Sequence, residues 1–169
     1  MNRPPDVTPR IRTVCFSGHR PERLPARSER GILTSLLYQE ILDALHDGAQ
    51  VFYSGMARGV DLYAAETVLG LRREHPALRL ICACPFEGYA RSFPAQDSYR
   101  LRNILMLADE VVYVSAQASS EAYFIRNRYM VDHADRLIAV MLHPRSGTGQ
   151  TLRYAERLGK EIRLVALPN

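Results

Sequence analysis

Short, continuously apolar runs alternate along the chain with longer stretches whose apolar residues recur at helical spacing. Residues 13–18 (TVCFSG), 50–55 (QVFYSG), 78–86 (LRLICACPF), 110–115 (EVVYVS), 136–143 (RLIAVMLH) and 161–167 (EIRLVAL) are the apolar runs. Each predicts a buried strand. Between the first two, residues 28–48 place Ile32, Leu36, Leu37, Ile41 and Leu45 on one side of a helix, with Ser28 as its opening cap and Gly48 as its stop. Further helices are predicted over 60–76, stopped by Pro76, over a segment carrying Leu101, Ile104, Leu105 and Leu107, and over roughly 121–134, while 145–160 reads as a glycine-rich turn and then a helix. Residues 87–98 (EGYARSFPAQDS) break the periodicity and read as a mobile loop.

Strands and helices thus alternate, and the strands are apolar throughout instead of every second residue. That pattern requires burial on both faces, which a parallel sheet sandwiched by helices provides. Right-handed crossovers then give an α/β fold: a doubly wound, mainly parallel, Rossmann-like three-layer sandwich. A chain of 169 residues supplies one such core and is too short for an eight-stranded barrel. Residues 1–10, with two adjacent prolines, read as a flexible leader, and 11–169 as a single domain.

Composition narrows the setting. No apolar stretch approaches the roughly 20 residues of a membrane span, and the N-terminus lacks the apolar core of a signal peptide. Cys15, Cys82 and Cys84 lie in strand runs without zinc or disulfide spacing, so they read as small core residues in a reducing, cytoplasmic protein. No cofactor or metal site is expected. The net charge of +4 is carried almost wholly by arginine, Lys160 being the only lysine, and the arginines are dispersed along the sequence. Charge alone therefore argues weakly for a nucleic-acid partner.

In a doubly wound sheet the C-terminal ends of the strands share one edge, where ligands bind at the reversal of strand order. The polar and glycine-rich segments fall just after the strand runs: Ser17, Gly18, His19 and Arg20; Ser54, Gly55, Met56, Ala57, Gly59 and Asp61; Pro85 and Glu87; and Gly147, Thr148, Gly149 and Thr151. Gly55 and Gly59 admit close approach to the main chain ahead of a helix start, whose free N–H groups and dipole suit a phosphate. An equally good account of that bend is a glycine-eased turn with Asp61 as a favourable first-turn charge. A second such bend at 146–151 tilts the balance towards a phosphorylated ligand. Arg20 and Arg128 are candidate phosphate clamps. His19, Asp61 and Glu87 are the acid–base candidates, His19 serving equally well as a structural hydrogen-bonding residue. Arg128 and Asp132, four apart on a helix, also fit a surface ion pair.

The segments CFSGHRPERLP (15–25), YSGMARGVDLYAAE (53–66), LICACPF (80–86), RNRYMVDHADRLIAV (126–140) and GTGQTLRYAERLGKEI (147–162) together resemble the SLOG-type Rossmann family to which bacterial YpsA proteins belong. SGMARGVD is also similar to the glycine motif of the DNA-processing protein A family. The late glycine loop has the position of the phosphate loop of LOG phosphoribohydrolases. The resemblance implies a pocket for a nucleotide, nucleotide sugar or ADP-ribose-like ligand at Gly55–Asp61 and Gly147–Thr151. The LOG loop carries PGGxGTxxE, whereas here the loop reads RSGTGQTLRYAE. Glu156 lies roughly 12 Å beyond Thr148 by the helix rise, out of place for the glutamate that assists glycosidic cleavage in those enzymes.

Three functions follow as expectations. The first is a sensor or regulatory module that binds a small nucleotide-derived phosphate ligand. The second is an N-glycosidic hydrolase with Arg20 or Arg128 on phosphate and Glu87 or Asp61 near the sugar. The third is a single-stranded nucleic acid binder with Tyr89 and Phe93 as stacking platforms. Tyr123, Phe124, Tyr129 and Met130 could supply an apolar patch for a homodimer, and a helical core accounts for them equally well.

Overall fold

The computed structural model describes residues 11–26 and 30–166. The leader 1–10 and the Ser28 cap lie outside the described residues. Six strands alternate with five helices: β1 (Thr13–Gly18), α1 (Arg30–His46), β2 (Val51–Ser54), α2 (Val60–Leu71), β3 (Arg79–Cys84), α3 (Ala95–Leu107), β4 (Glu110–Tyr113), α4 (Glu121–His133), β5 (Arg136–Val140), α5 (Gly147–Arg157) and β6 (Glu161–Leu164). All pairings are parallel, in the order β4-β3-β2-β1-β5-β6. The expected α/β sandwich is the observed fold. β1 matches its apolar run, and the other five strands are shorter than theirs.

The sheet has a core on each face. Val14, Phe16, Phe52, Leu80, Cys82, Ile138 and Val140 point to one side and meet α1, α2 and α3 through residues such as Leu33, Leu37, Leu62, Val68 and Ile104. Cys15, Tyr53, Ile81, Ala83, Leu137 and Ala139 point to the other and meet Met130 and Val131 of α4 and Leu152 and Ala155 of α5. Successive strand residues serve opposite cores, which is why the strand runs are apolar without a break. The three cysteines are buried and free. Burial pushes the Cys15 thiol up to about 12 and that of Cys84 to about 11, so both stay protonated and inert. No helix among the described residues is long and apolar enough to cross a membrane.

Gly48 ends α1 as expected. Its φ is 105°, its amide donates to Leu45, and the next amide, of Ala49, reaches back to Ala44 (2.9 Å). Of residues 87–98, expected to form a mobile loop, 95–98 open α3 and 87–94 are tied down: Tyr89 and Phe93 pack against the core, and the Tyr89 hydroxyl donates to the Met56 carbonyl (2.8 Å). They are therefore not free stacking platforms. Met130, expected in a dimer patch, is only 1% exposed and belongs to the core.

Candidate functional site

The strand order reverses between β1 and β5, which are neighbours although three strands separate them in sequence. Their register pairs Gly18 with Val140, so both strands end at the same level and their following loops diverge. A cleft of about 450 Å³ opens there, lined by the end of β1 and its loop, by Ala57 and Asp61, by α4 and by the start of α5. This is the crevice that a doubly wound sheet reserves for ligands.

Close packing fixes the floor. A Cβ on Gly18 would lie 2.5 Å from the Val60 side chain, so glycine lets the start of α2 abut the end of β1. Gly59 has φ 90°, and a Cβ there would lie 2.5 Å from the His19 carbonyl oxygen, which accepts the Val60 amide. His19 is itself buried. Its Nε2 accepts from the amides of Leu142 (2.8 Å) and His143 (3.2 Å), tying the loop after β1 to the loop after β5. Accepting at Nε2 places the ring proton on Nδ1 and keeps the ring neutral. Burial, then the charges of His143 and Arg23, hold its pKa below the ordinary value. That lone pair is committed, so His19 acts in this geometry as a structural pin.

The first glycine bend is occupied by its own chain. Asp61 is buried, and its Oδ2 accepts from the Ala57 amide (3.2 Å) while its carbonyl accepts from the Ser54 hydroxyl (2.8 Å). A Cβ on Gly55 would lie 2.9 Å from that carboxylate and 3.0 Å from the Arg126 guanidinium carbon. Met56 follows with φ 57°, a strained value for a side chain this large, held by its complete burial and by the bond from Tyr89. Burial raises the Asp61 pKa, opposed by Arg126, the Ala57 amide and Arg20. A carboxylate thus sits where a phosphate was expected, and it screens Gly55 and Ser54 from the cleft.

The second bend is open. Ser146 caps α5: its hydroxyl accepts from the Gly149 amide (3.1 Å) and donates to the His143 carbonyl (2.5 Å). The amides of Gly147 and Thr148 take no partner among the described residues, and both residues line the cleft. A Cβ on Gly149 would collide with the Pro144 carbonyl oxygen, so the turn requires glycine. Thr151 uses its hydroxyl on the Gly147 carbonyl (3.0 Å).

Positive charge gathers around these amides. Arg20, Arg23, Arg126 and Arg145 line the cleft, against two carboxylates, Asp61 and Glu22. Glu22 is engaged by Arg58 (2.6 Å), which also binds Asp97 (2.6 Å). Arg126 is 5% exposed, donates to the Gly55 carbonyl and to Asn127 Oδ1 (2.8 Å), and lies 5.7 Å from the Tyr123 ring centroid. Arg20 lies 5.9 Å from the same ring. Tyr123 and Phe124 add aromatic surface to the wall.

Of the sequence candidates, Ser17, Gly18, His19, Arg20, Ala57, Asp61, Gly147 and Thr148 line one cleft. Ser54 and Met56 lie buried behind it, and Gly59 backs onto His19. Pro85 is buried outside the cleft lining, its carbonyl accepting the Ser115 amide (3.0 Å), and Glu87 is exposed outside it. Arg128 points elsewhere, onto Tyr154 (5.4 Å) in a separate groove, and Asp132 accepts from the Tyr154 hydroxyl (2.7 Å). Arg126, and not Arg128, lines the cleft. Helical phase carries that signal: Ala122, Arg126 and Met130 share the buried face of α4 at four-residue spacing, whereas Arg128 faces away from it. No group of three or more His, Cys, Asp or Glu side chains among the described residues could hold a metal ion.

Fold and cleft define a Rossmann-like, doubly wound protein with a basic crevice at its switch point. The family model of YpsA, described as the YspA SLOG family, matches residues 14–165. The chain belongs to that family. The uncharacterized SPbeta prophage-derived protein YoqJ of Bacillus subtilis (strain 168) is 30% identical over 125 residues, covering 66% of this chain and 73% of that protein. UPF0398 protein BCB4264_A1614 of Bacillus cereus (strain B4264) is 26% identical over 159 residues, covering 90% and 86%. Two solved structures share the fold. DNA processing protein A from Helicobacter pylori, reported for its single-stranded DNA binding mode, has TM-score 0.63 at 20% identity. DprA from Streptococcus pneumoniae has TM-score 0.64 at 18% identity. The match covers 93% and 94% of this chain, which spans 66% and 51% of those two chains.

Proposed function

We propose that this protein binds a small nucleotide-derived phosphate ligand in the β1/β5 crevice, as a sensor or regulatory module. One observation carries the proposal: Gly147 and Thr148, whose amides take no partner among the described residues, line a cleft together with four arginines. Free amides at a helix start and guanidinium groups are complementary to a phosphate in charge and in hydrogen bonding. Tyr123 and Phe124 supply apolar surface for a base or sugar. Binding without bond cleavage is favoured over glycosidic hydrolysis because both carboxylates of the cleft are engaged, Glu22 by Arg58 and Asp61 by the Ala57 amide. Thermal shift with AMP, ADP-ribose and NAD tests the proposal: at least one is expected to raise the melting temperature of the wild type, and Arg126→Ala or Arg145→Ala to abolish the rise. A panel that leaves the melting temperature unmoved would refute it.

A second reading, single-stranded nucleic acid binding, is favoured by the aromatic and arginine lining of the cleft and by the fold shared with DNA processing protein A. A gel shift with oligo-dT that weakens steeply with salt supports it, and an undetectable shift at low salt removes it.

A further inference from the structure

A second groove, of about 390 Å³, runs between α4 and α5 and is lined by Phe124, Arg128, Arg153, Tyr154 and Arg157 among others. Arg128 and Arg157 both lie over Tyr154, at 5.4 and 5.8 Å from the ring centroid. Neither these two nor Arg153 forms an ion pair among the described residues. Among the described residues Arg153 donates only to the Pro144 carbonyl (3.3 Å). Against three guanidinium groups the groove offers a single lining carboxylate, Glu121. Like charges gathered this way repel one another, and an anion seated among them relieves the repulsion. The aromatic ring beneath them orders the guanidinium groups in advance and lowers the entropy lost on binding.

The groove adjoins the cleft. Phe124 lines both and is 42% exposed. Gln150 and Thr151, in the groove, lie within one helical turn of Gly147 and Thr148, in the cleft. Arg153 and Arg157 follow at four-residue spacing along the same helix. An aromatic surface flanked by two basic subsites matches a nucleoside with a phosphate at each end.

We infer that Arg128, Arg153 and Arg157 form a second phosphate subsite, and that the ligand carries phosphate on both sides of one nucleoside whose base stacks on Phe124. This rests on the proposed phosphate site at Gly147 and Thr148. Two sources share the chemistry, a free nucleoside 3′,5′-bisphosphate and a short single strand of nucleic acid.

Calorimetric titration of the full chain with thymidine 3′,5′-bisphosphate, thymidine 5′-monophosphate and a 5′-phosphorylated oligo-dT series decides it. The bisphosphate is expected to bind about tenfold or more tighter than the monophosphate, the range of one charged hydrogen bond. Arg157→Ala, a change at an exposed position, should erase that advantage, and Phe124→Leu should weaken every nucleotide. Equal affinity for bisphosphate and monophosphate, or an Arg157→Ala variant that weakens both alike, overturns the second subsite and leaves the first standing. No binding by any of the three overturns both. If the oligomers bind tighter than the bisphosphate, with a steeper salt dependence, the ligand is a nucleic acid strand. If they match or trail it, the ligand is a free bisphosphate.

Discussion

Two glycines at the candidate site answer to opposite constraints. Gly59 needs its positive φ and the space its missing Cβ leaves beside the His19 carbonyl. Gly59→Ala should cost about 1–3 kcal/mol, the usual range for backbone forced into such a region, read from urea denaturation. Gly147 stands in the first turn of α5, and a Cβ added to it would meet no atom within 4 Å. Gly147→Ala should leave stability unchanged or raise it by up to about 1 kcal/mol, as a better helix former does. The same denaturation series reads both, and a destabilised Gly147→Ala would show that this turn is packed and not open. His19 gives a pH signature. Its folded pKa is depressed below the unfolded value of 6.5, so the unfolded state binds the proton more readily. Its contribution to stability is complete above pH 6.5 and is lost as pH falls through that value towards the lower folded pKa. Denaturation on either side of that window should show the loss, and His19→Gln should reduce the difference.

At the scale of elements, the start of α5 depends on Ser146, whose hydroxyl satisfies the Gly149 amide and anchors to His143. Ser146→Ala should cost about 1 kcal/mol, and by loosening the turn it should lower the affinity of any ligand held by the Gly147 and Thr148 amides. A variant with lost stability and unchanged nucleotide affinity would separate the cap from the site. The helices, the strands and the stop at Gly48 were legible in the sequence, since period and cap chemistry are local. Which side of α4 turns inward was legible too, from the spacing of Ala122, Arg126 and Met130, although polar character alone points as readily to Arg128. The fate of the first bend was not legible. Spacing cannot distinguish a bend awaiting an anion from one that Asp61, a few residues along, already fills.

The whole molecule brings together arginines that the chain disperses. Arg20 and Arg23 after β1, Arg126 and Arg128 on α4, Arg145 before α5, and Arg153 and Arg157 on α5 line two adjoining hollows. Binding to this surface should therefore be governed by salt. For a strand neutralised at two phosphates, affinity should fall about sevenfold between roughly 50 and 200 mM salt. A salt-independent titration would show that the arginines do not meet the phosphates.

The order of apolar runs and helical periods by itself determined the layered fold and the edge at which a ligand would meet it, because burial on two faces leaves a parallel sheet few alternatives. Tertiary structure alone decided which glycine bend is closed. Only there do two basic hollows adjoin across Phe124. Those outcomes depend on contacts between residues as far apart as His19 and His143, and local patterning along a chain carries no record of such distances.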